Sequence, residues 1–515
     1  MQTDSPTYKT LKNAAFGFLG YVWPVIFAIF VTPVVVFRLG VEHYGFFVLL
    51  NTVSSLLGLL DIGVSTAMTK FLAEYVGAGD GKAAARLTGT AGLFFVGTAT
   101  AGAAAMLAIG AVAYGPLGAG LGYTYFTACF ALAAAIFFVN VAASVYLAVP
   151  TALQRLDVSN KLGMLKIFFN NMTILALLLS GFGLVAVLSS TLFYDTVFLL
   201  AFRRVARRLL PGISFRFVWD RTEFLRCLKF GSVHFMSNWA NSLLIQLDRL
   251  IIPFLLGPAQ LAYYSLPGNV TTKIQGVNGG LAGILFPMSS ALQGSGDTER
   301  LKKMYVRAFR LLAVVAAGLA VPVAIFSKPI LRYWLNDDFA ERSWKIMVIL
   351  AATYLILSLN GPLNSFLLGL GRVRILAKYS FIMLGINVAA LAAFLPRYGI
   401  EGAAWAYLVA VLPVLGLFRF AEKNVLGLAG RARAWLHLAL KNAVCGAVVA
   451  VVAHYFLFGL ISSLWTLLPV FGFAVALYYL LYLLFGFFEV EDRIALRDFG
   501  LLVWKRLSGI WARTA

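Results

Sequence analysis

The sequence predicts an all-α polytopic membrane protein with about 14 transmembrane helices, and three observations carry that reading. Hydrophobic residues make up 61% of the 515 positions and charged residues only 12%, with a mean hydropathy of +0.87. Soluble domains carry charge on about a quarter of their residues. Apolar runs of about 20 residues, each enough to cross a hydrocarbon core of about 30 Å, recur from end to end. Finally, Lys and Arg concentrate in the short connections between those runs. A β-barrel would show weaker segments of alternating polarity.

The first run, "NAAFGFLGYVWPVIFAIFVTPVVVF" at 13–37, is too long for a signal-peptide core and lacks a small-residue cleavage site after it, so it reads as a span. Pro24 and Pro33 inside it predict a kink. Further spans follow near 43–68, 87–114, 119–148, 162–180, 183–202, 228–255, 260–291, 308–327, 343–369, 376–396, 401–422, 438–460 and 463–487. The net charge of +21 does not indicate nucleic acid, because the cations fall between spans. With the N-terminus inside, thirty-four of the 42 Lys and Arg face the cytoplasm and six face outward. Arg249 and Lys273 lie within spans. This is the positive-inside pattern, with both termini cytoplasmic. No connection is long enough for a soluble catalytic domain. The three cysteines, Cys129, Cys227 and Cys445, are scattered and read as small buried residues.

Sliding the chain by 217 positions exposes a repeat. "RLGVEHYGFFVLL" at 38–50 falls on "LLGPAQLAYYSLP" at 255–267, aligning Gly40 with Gly257 and Phe46-Phe47 with Tyr263-Tyr264. Gly63 meets Gly280, and "GAGD" at 77–80 meets "GSGD" at 294–297 without a gap. The offset skips six spans, so the copies run in the same direction. That predicts two parallel six-helix bundles with pseudo-two-fold symmetry about the membrane normal, an organisation characteristic of transporters. The corresponding segments are 1–210, 211–430 and, for two extra C-terminal helices and a tail, 431–515.

Charge at mid-membrane is costly, about 2.5–3.5 kcal/mol on insertion scales, and such side chains face a bundle interior or a wet cavity. The intramembrane charges here are Asp61, Asp195, Asp248, Arg249 and Lys273. At about 100° per residue, His234, Asn238, Asn241 and Asp248 share one stripe of the seventh span, with Arg249 on its flank. Asn269 and Lys273 share a face of the eighth span, and Asp61 edges a Ser- and Asn-rich face of the second. These positions predict a hydrated, partly charged cavity lined by spans 2, 7 and 8. Interhelical hydrogen bonding is the competing reading for the hydroxyls and amides. Asp195 has no polar stripe of its own and reads as a cross-helix partner. Lys166 and Glu401 fall near span ends, where a structural role is expected.

No Walker A run, zinc-ligand spacing or nucleophile elbow occurs, so no catalytic or metal-ligating set is assigned. "NDD" at 336–338 reads as a solvated turn.

The segment "LGVEHYGFFVLLNTVSSLLGLLDIGVSTAMTKFLAEYVGAGD" resembles the first-half signature of the Wzx-type polysaccharide and O-antigen flippases, within the multidrug/oligosaccharidyl-lipid/polysaccharide exporter superfamily. "LDRLIIPFLLGPAQLAYYSLPGNVTTKIQGVNGGLAGILFPMSSAL" resembles the second-half block. The likeness is strongest over 10–90 and 225–310. It implies a V-shaped, two-bundle transporter in a bacterial inner membrane, working by alternating access. The implied cargo is a polyprenyl-pyrophosphate-linked oligosaccharide, moved to the outer leaflet for cell-surface polysaccharide assembly. Arg249, Lys273 and, at the mouth, Arg38 match the family's cationic lumen. The first span carries no buried cation before Arg38, so the positive surface is one-sided. Asp248 and Asp61 are candidates for ion coupling or charge balance, with H+ or Na+ as coupling ion and no cofactor. Expected partners are the lipid-linked sugar, membrane lipids, a polysaccharide polymerase and glycosyltransferases, with no nucleic acid and a monomeric chain. The alternatives are a cation-coupled multidrug exporter of the same superfamily and a membrane-embedded glycosyltransferase or ligase.

Overall fold

Backbone polar groups inside a bilayer have no water to bond, so apolar spans of this length satisfy them within helices. The computed structural model describes residues 6–118, 121–211, 217–282, 285–428 and 430–488, and among them there is no strand. Eleven helices among the described residues are long and apolar enough to cross a membrane, and Trp23–Leu39 is a shorter apolar stretch of the same kind.

The chain divides into two compact units. The first is Met1–Gly268 with Val373–Ala410. It holds α1 (Pro6–Leu39), α2 (Val41–Leu57), α3 (Val64–Gly77), α4 (Gly81–Leu117), α5 (Tyr123–Ala152), α6 (Leu156–Leu179), α7 (Leu184–Leu209) and α8 (Arg221–Leu256). The start of α9 (Pro258–Ala282) and nearly all of α14 (Val373–Val411) belong to it too. The second unit, Asn269–Arg372 with Val411–Ala515, holds the rest of α9, then α10 (Leu285–Gly294), α11 (Thr298–Ile325), α12 (Ser327–Trp334) and α13 (Asp337–Gly369). It also holds α15 (Pro413–Asn424), α16 (Ala432–Val452) and α17 (Leu464–Leu484). This division cuts across the segments 1–210, 211–430 and 431–515. The reason lies in α8, which packs on α2, α3 and α4, while α14 adds through α8, with Phe381 against Trp239 and Asn387 on the Leu244 carbonyl.

The core of the first unit is built from Met68, Phe71 and Leu72 of α3, Leu87, Ala91 and Phe95 of α4, and Val145 and Val149 of α5. Gly102 and Gly110 let α4 approach α5, since a Cβ there would press into the rings of Phe137 and Phe130. Small residues at such crossings maximise van der Waals contact where lipid supplies no hydrophobic driving force. In the second unit, Glu422 accepts bonds from Trp435 Nε1 (2.8 Å) and Tyr305 Oη (3.3 Å), tying α16 and α11 to α15. Tyr479 Oη of α17 donates to the Val315 carbonyl of α11 at 3.1 Å. All three cysteines are free and buried, as expected. "NDD" is the turn expected: Asn336 caps α13 by accepting from Phe339 N, while Asp337 and Asp338 pair with Arg332 and Arg342.

Two elements differ from their sequence-based expectation. The second span is broken: α2 ends in a 3-10 turn at Gly58–Asp61, Ile62 and Gly63 are left-handed, and α3 begins afresh. Asp61 permits the restart, accepting from Ser65 N (3.0 Å) and Ser65 Oγ (2.5 Å) in the first turn of α3. The spans expected at 376–396 and 401–422 are separated as expected, by a break at Gly399 (φ 57°, ψ −141°) just after Pro396. Finally, α6 starts at Leu156 rather than 162, so Lys166 lies well inside its helix and not near an end.

The repeated blocks adopt matching local geometry. Gly40 and Gly257, 217 positions apart, have φ/ψ of 79°/161° and 90°/160°. Gly79 and Gly296 have φ of 72° and 71°. Asp80 and Asp297 follow them as N-caps of α4 and α11, accepting from Ala83 N (2.9 Å) and Arg300 N (3.0 Å). The positive φ explains glycine at both pairs of positions, since an L side chain is disfavoured there.

Candidate functional site

The intramembrane charges of α8 sit where four helices of the first unit meet. Asp248 is 1% exposed, and Tyr264 Oη, in the first turns of α9, donates to its Oδ2 at 2.5 Å. Asn387 of α14 enters one turn earlier along α8, donating to the Leu244 carbonyl at 3.4 Å. Arg249 is half-buried, and its charge acts on Asp248 and on the fully buried Tyr44 of α2. The turn at Gly257 folds α9 back so that Tyr264 reaches Asp248. Gly45, next to Tyr44, lies so close to α9 that a Cβ would stand 1.8 Å from the Pro258 carbonyl oxygen. Two aromatic hydroxyls, a carboxylate and a guanidinium therefore cluster in otherwise apolar packing. Chemically, the cluster offers a buried anion held by a hydroxyl donor beside a cation with partial access.

The remaining expected site residues spread out. Arg38 is exposed in the last turn of α1, and Asn241 is exposed on α8. Asp61 is committed to capping α3. Asn269 is half-buried and Lys273 exposed, both on the part of α9 that belongs to the second unit. The side chains of His234 and Asn238 lie outside the described residues. Thus the structure joins Arg249 to Asp248 and adds Tyr44, Tyr264 and Asn387, which the polar-stripe argument could not select. Asp248 is itself enclosed rather than open to a cavity. At the 217-residue offset Tyr264 falls on Phe47 and Asp248 on Val31, so the hydroxyl and the carboxylate differ together between the two blocks.

Comparison with known proteins follows from this geometry. The profile of a family described as "Polysaccharide biosynthesis protein" matches residues 89–343. The protein named "Putative O-antigen transporter" in Shigella flexneri is 23% identical over 189 residues, 37% of this chain and 44% of that protein. An uncharacterized membrane protein of Methanocaldococcus jannaschii is 26% identical over 202 residues, 39% of this chain and 40% of that protein. Among solved structures, the inward closed conformation of the lipid II flippase MurJ aligns with a TM-score of 0.71, covering 94% of this chain and 99% of that one at 14% identity. An inward-facing multidrug resistance MATE family transporter of the MOP superfamily aligns with a TM-score of 0.65, covering 78% and 94% at 14% identity. The chain thus resembles a polysaccharide-biosynthesis family over just under half of its length and shares the helical fold of the MurJ and MATE structures. It is a multi-pass membrane protein. The match spans less than half the length of the curated relatives.

The chain carries two further polar clusters that sequence reasoning did not assemble. At the ends of α3 and α8, Tyr75 Oη donates to Glu223 Oε1 (2.7 Å) and accepts from Arg226 Nη1 (2.5 Å). Arg226 also pairs with Glu74 at 3.6 Å and lies 4.3 Å over the Phe71 ring, while Lys70 lies 4.3 Å over Phe230. Burial, with the bond to Glu223 second, pushes the Tyr75 phenol up to about 12. At the other end of α3, α3 and α8 touch backbone to backbone: a Cβ on Gly63 would lie 2.6 Å from the Gly231 oxygen. The second cluster joins Lys166, Asp195 and Asn140 across α5, α6 and α7. Each pairing crosses between separate helices, which single-helix phasing does not reveal.

Proposed function

We propose that this protein moves a polyprenyl-pyrophosphate-linked oligosaccharide from the cytoplasmic to the outer leaflet of a bacterial inner membrane by alternating access, with no bond made or broken. One observation carries the reading: a buried Asp248–Tyr264 centre beside Arg249 lies inside a chain that shares its fold, over 94% of its length, with a lipid II flippase. In this reading Arg249, with Arg38 at the mouth, holds the pyrophosphate or an acidic sugar by charge-assisted hydrogen bonds. Asn241 lines the polar path. Asp248 and Asp61 balance charge or bind the coupling ion. The arrangement is fourteen spans in two parallel six-helix bundles plus two added helices, monomeric, with both termini cytoplasmic. The matched backbones at Gly40/Gly257 and Gly79/Gly296 support the bundles, and the Lys and Arg distribution supports the orientation.

The test is depletion of the protein in its host, followed by assay of which leaflet holds the lipid-linked sugar. Accumulation in the cytoplasmic leaflet is expected. Accumulation in the outer leaflet, or none, overturns the reading. Arg249→Ala that inserts normally yet flips at the wild-type rate would remove Arg249 from the substrate path. A cation-coupled multidrug exporter is the second reading, favoured by the MATE-like fold. Resistance to organic cations that depends on Asp61 would select it.

A further inference from the structure

At one end of the first unit, α4, α5, α7 and the connection into α8 enclose a cavity of about 140 Å³. Gly92 of α4, Ala142 and Tyr146 of α5, Leu200 and Arg203 of α7, and Phe217 of the connection line it. Arg203 is the one charged residue among the described residues of the lining. Gly92 makes the room, since a Cβ there would stand 2.9 Å from Phe217 Cε1. Thr90 of α4 pins the connection, donating to the Val218 carbonyl and accepting from Asp220 N, both at 3.0 Å. Phe217, Val218 and Trp219 are nonetheless exposed, with the Trp219 ring 4.8 Å from that of Phe224.

The cavity lies where hydrocarbon gives way to head groups. The stretch Leu184–Phe202 of α7 rises about 28 Å, close to a core about 30 Å thick, so Arg203 follows directly at its edge. Arg207 stands one turn further on the same face, and Arg204 and Arg208 occupy the adjoining one; all four are exposed. Carboxylates are scarce opposite them. The helices α4, α5 and α7 contain one, Asp195, which lies two turns deeper and contacts Lys166. The connection contributes Asp220, which caps α8 and pairs with Arg86 at 3.6 Å. None of the four arginines has a carboxylate partner among the described residues. Exposed Trp and Phe beside unopposed arginines are the composition of a membrane interface that meets negative lipid.

We propose that this cavity seats one anionic phospholipid of the surrounding leaflet. Its phosphate accepts charge-assisted hydrogen bonds from Arg203, and Arg207 adds attraction from the next turn. The upper part of one acyl chain enters between Ala142, Leu200 and Phe217, while the rest stays in the bilayer. A cavity of about 140 Å³ equals about five waters at about 30 Å³ each, which admits that much of a lipid and excludes an oligosaccharide. A zwitterionic lipid brings an ammonium that the arginines repel, so the anionic lipid is favoured. Bound there, the lipid ties the end of α7 to α4 and α5. The seat depends on the chain lying in a membrane and not on the flippase reading above.

The experiment is native mass spectrometry of the full-length protein, stripped of lipid in detergent and titrated with phosphatidylglycerol or phosphatidylcholine. The wild type is expected to hold one phosphatidylglycerol per chain in clear preference to phosphatidylcholine. Arg203→Ala should weaken that binding about tenfold, the usual worth of a hydrogen bond to a charged group. Ala142→Phe, which fills the cavity and leaves every charge in place, should weaken it too and tests the seat independently of Arg203. Arg433→Ala, which removes an exposed cation from α16, should leave it unchanged. Equal affinity for the two lipids, equal losses in Arg203→Ala and Arg433→Ala, or undiminished binding in Ala142→Phe overturns the site. Glycerol 3-phosphate binding as tightly as the lipid would make it a bare anion site, and displacement of phosphatidylglycerol by an equal concentration of polyprenyl phosphate would give the cavity to the cargo. Either result also overturns the proposal.

Discussion

Two buried carboxylates in the first unit, Asp248 and Asp195, meet the same cost in different ways. Asp248 is held by a phenol from α9, with Arg249 as a neighbour on its own helix. Asp195 is held by a full opposite charge from α6 and an amide from α5. In the first arrangement the donor is a neutral hydroxyl, and the nearest cation in sequence lies on the same helix. In the second a cation from another helix contacts the acid directly. Burial of an acid therefore does not by itself identify a binding centre; whether its donor is a neutral hydroxyl or an opposite charge separates the two.

The largest expected effect tests that contrast directly. Lys166→Ala or Asp195→Ala leaves an uncompensated charge at mid-membrane and should cost about 3–5 kcal/mol, whereas Lys166→Met/Asp195→Asn should recover most of it. Thermal unfolding of the purified protein in detergent reads both. Equal losses in the single and double variants would show that the pair is not a unit. Next, Tyr264→Phe deprives Asp248 of its hydroxyl donor and should cost about 1–3 kcal/mol, with Asp248→Asn in the same background returning part of it. A loss as large as that at Asp195 would erase the distinction drawn above.

Smaller still, Asp80→Ala and Asp297→Ala should each cost about 1 kcal/mol, the usual worth of an N-cap. They occupy repeat-equivalent turns of like geometry, so equal losses are expected where the two buried carboxylates are not equivalent. The smallest effect concerns pH. Tyr75 ionises at 10.0 as a free phenol and at about 12 here, so its contribution is complete below pH 10 and is lost as pH rises toward 12. An alkaline step in the melting temperature over that window should vanish in Tyr75→Phe. A step that persists belongs to another group.

Much of the fold was legible because it follows from solvent. A bilayer forces long apolar runs into helices, and those runs are plain in the sequence. The repeat was legible because Gly40, Gly79 and their partners Gly257 and Gly296 are held to conformations that few other residues adopt, so glycine recurs in register. The break at Asp61 was less visible, since hydropathy averages over a turn of a few residues. At the candidate site, helical phasing singled out Asp248 and Arg249 but not Tyr264 or Asn387, whose polarity matters only because of what faces them.

The sequence by itself determined that the chain is helical and multi-pass, because hydrophobicity is a property of each segment alone. Only the tertiary structure decided that Asp61 caps a helix, that Asp248 answers to Tyr264, and that Lys166 and Asp195 form a pair. Those outcomes depend on which faces of separate helices meet, and a buried charge takes its meaning from the nearest group across that boundary.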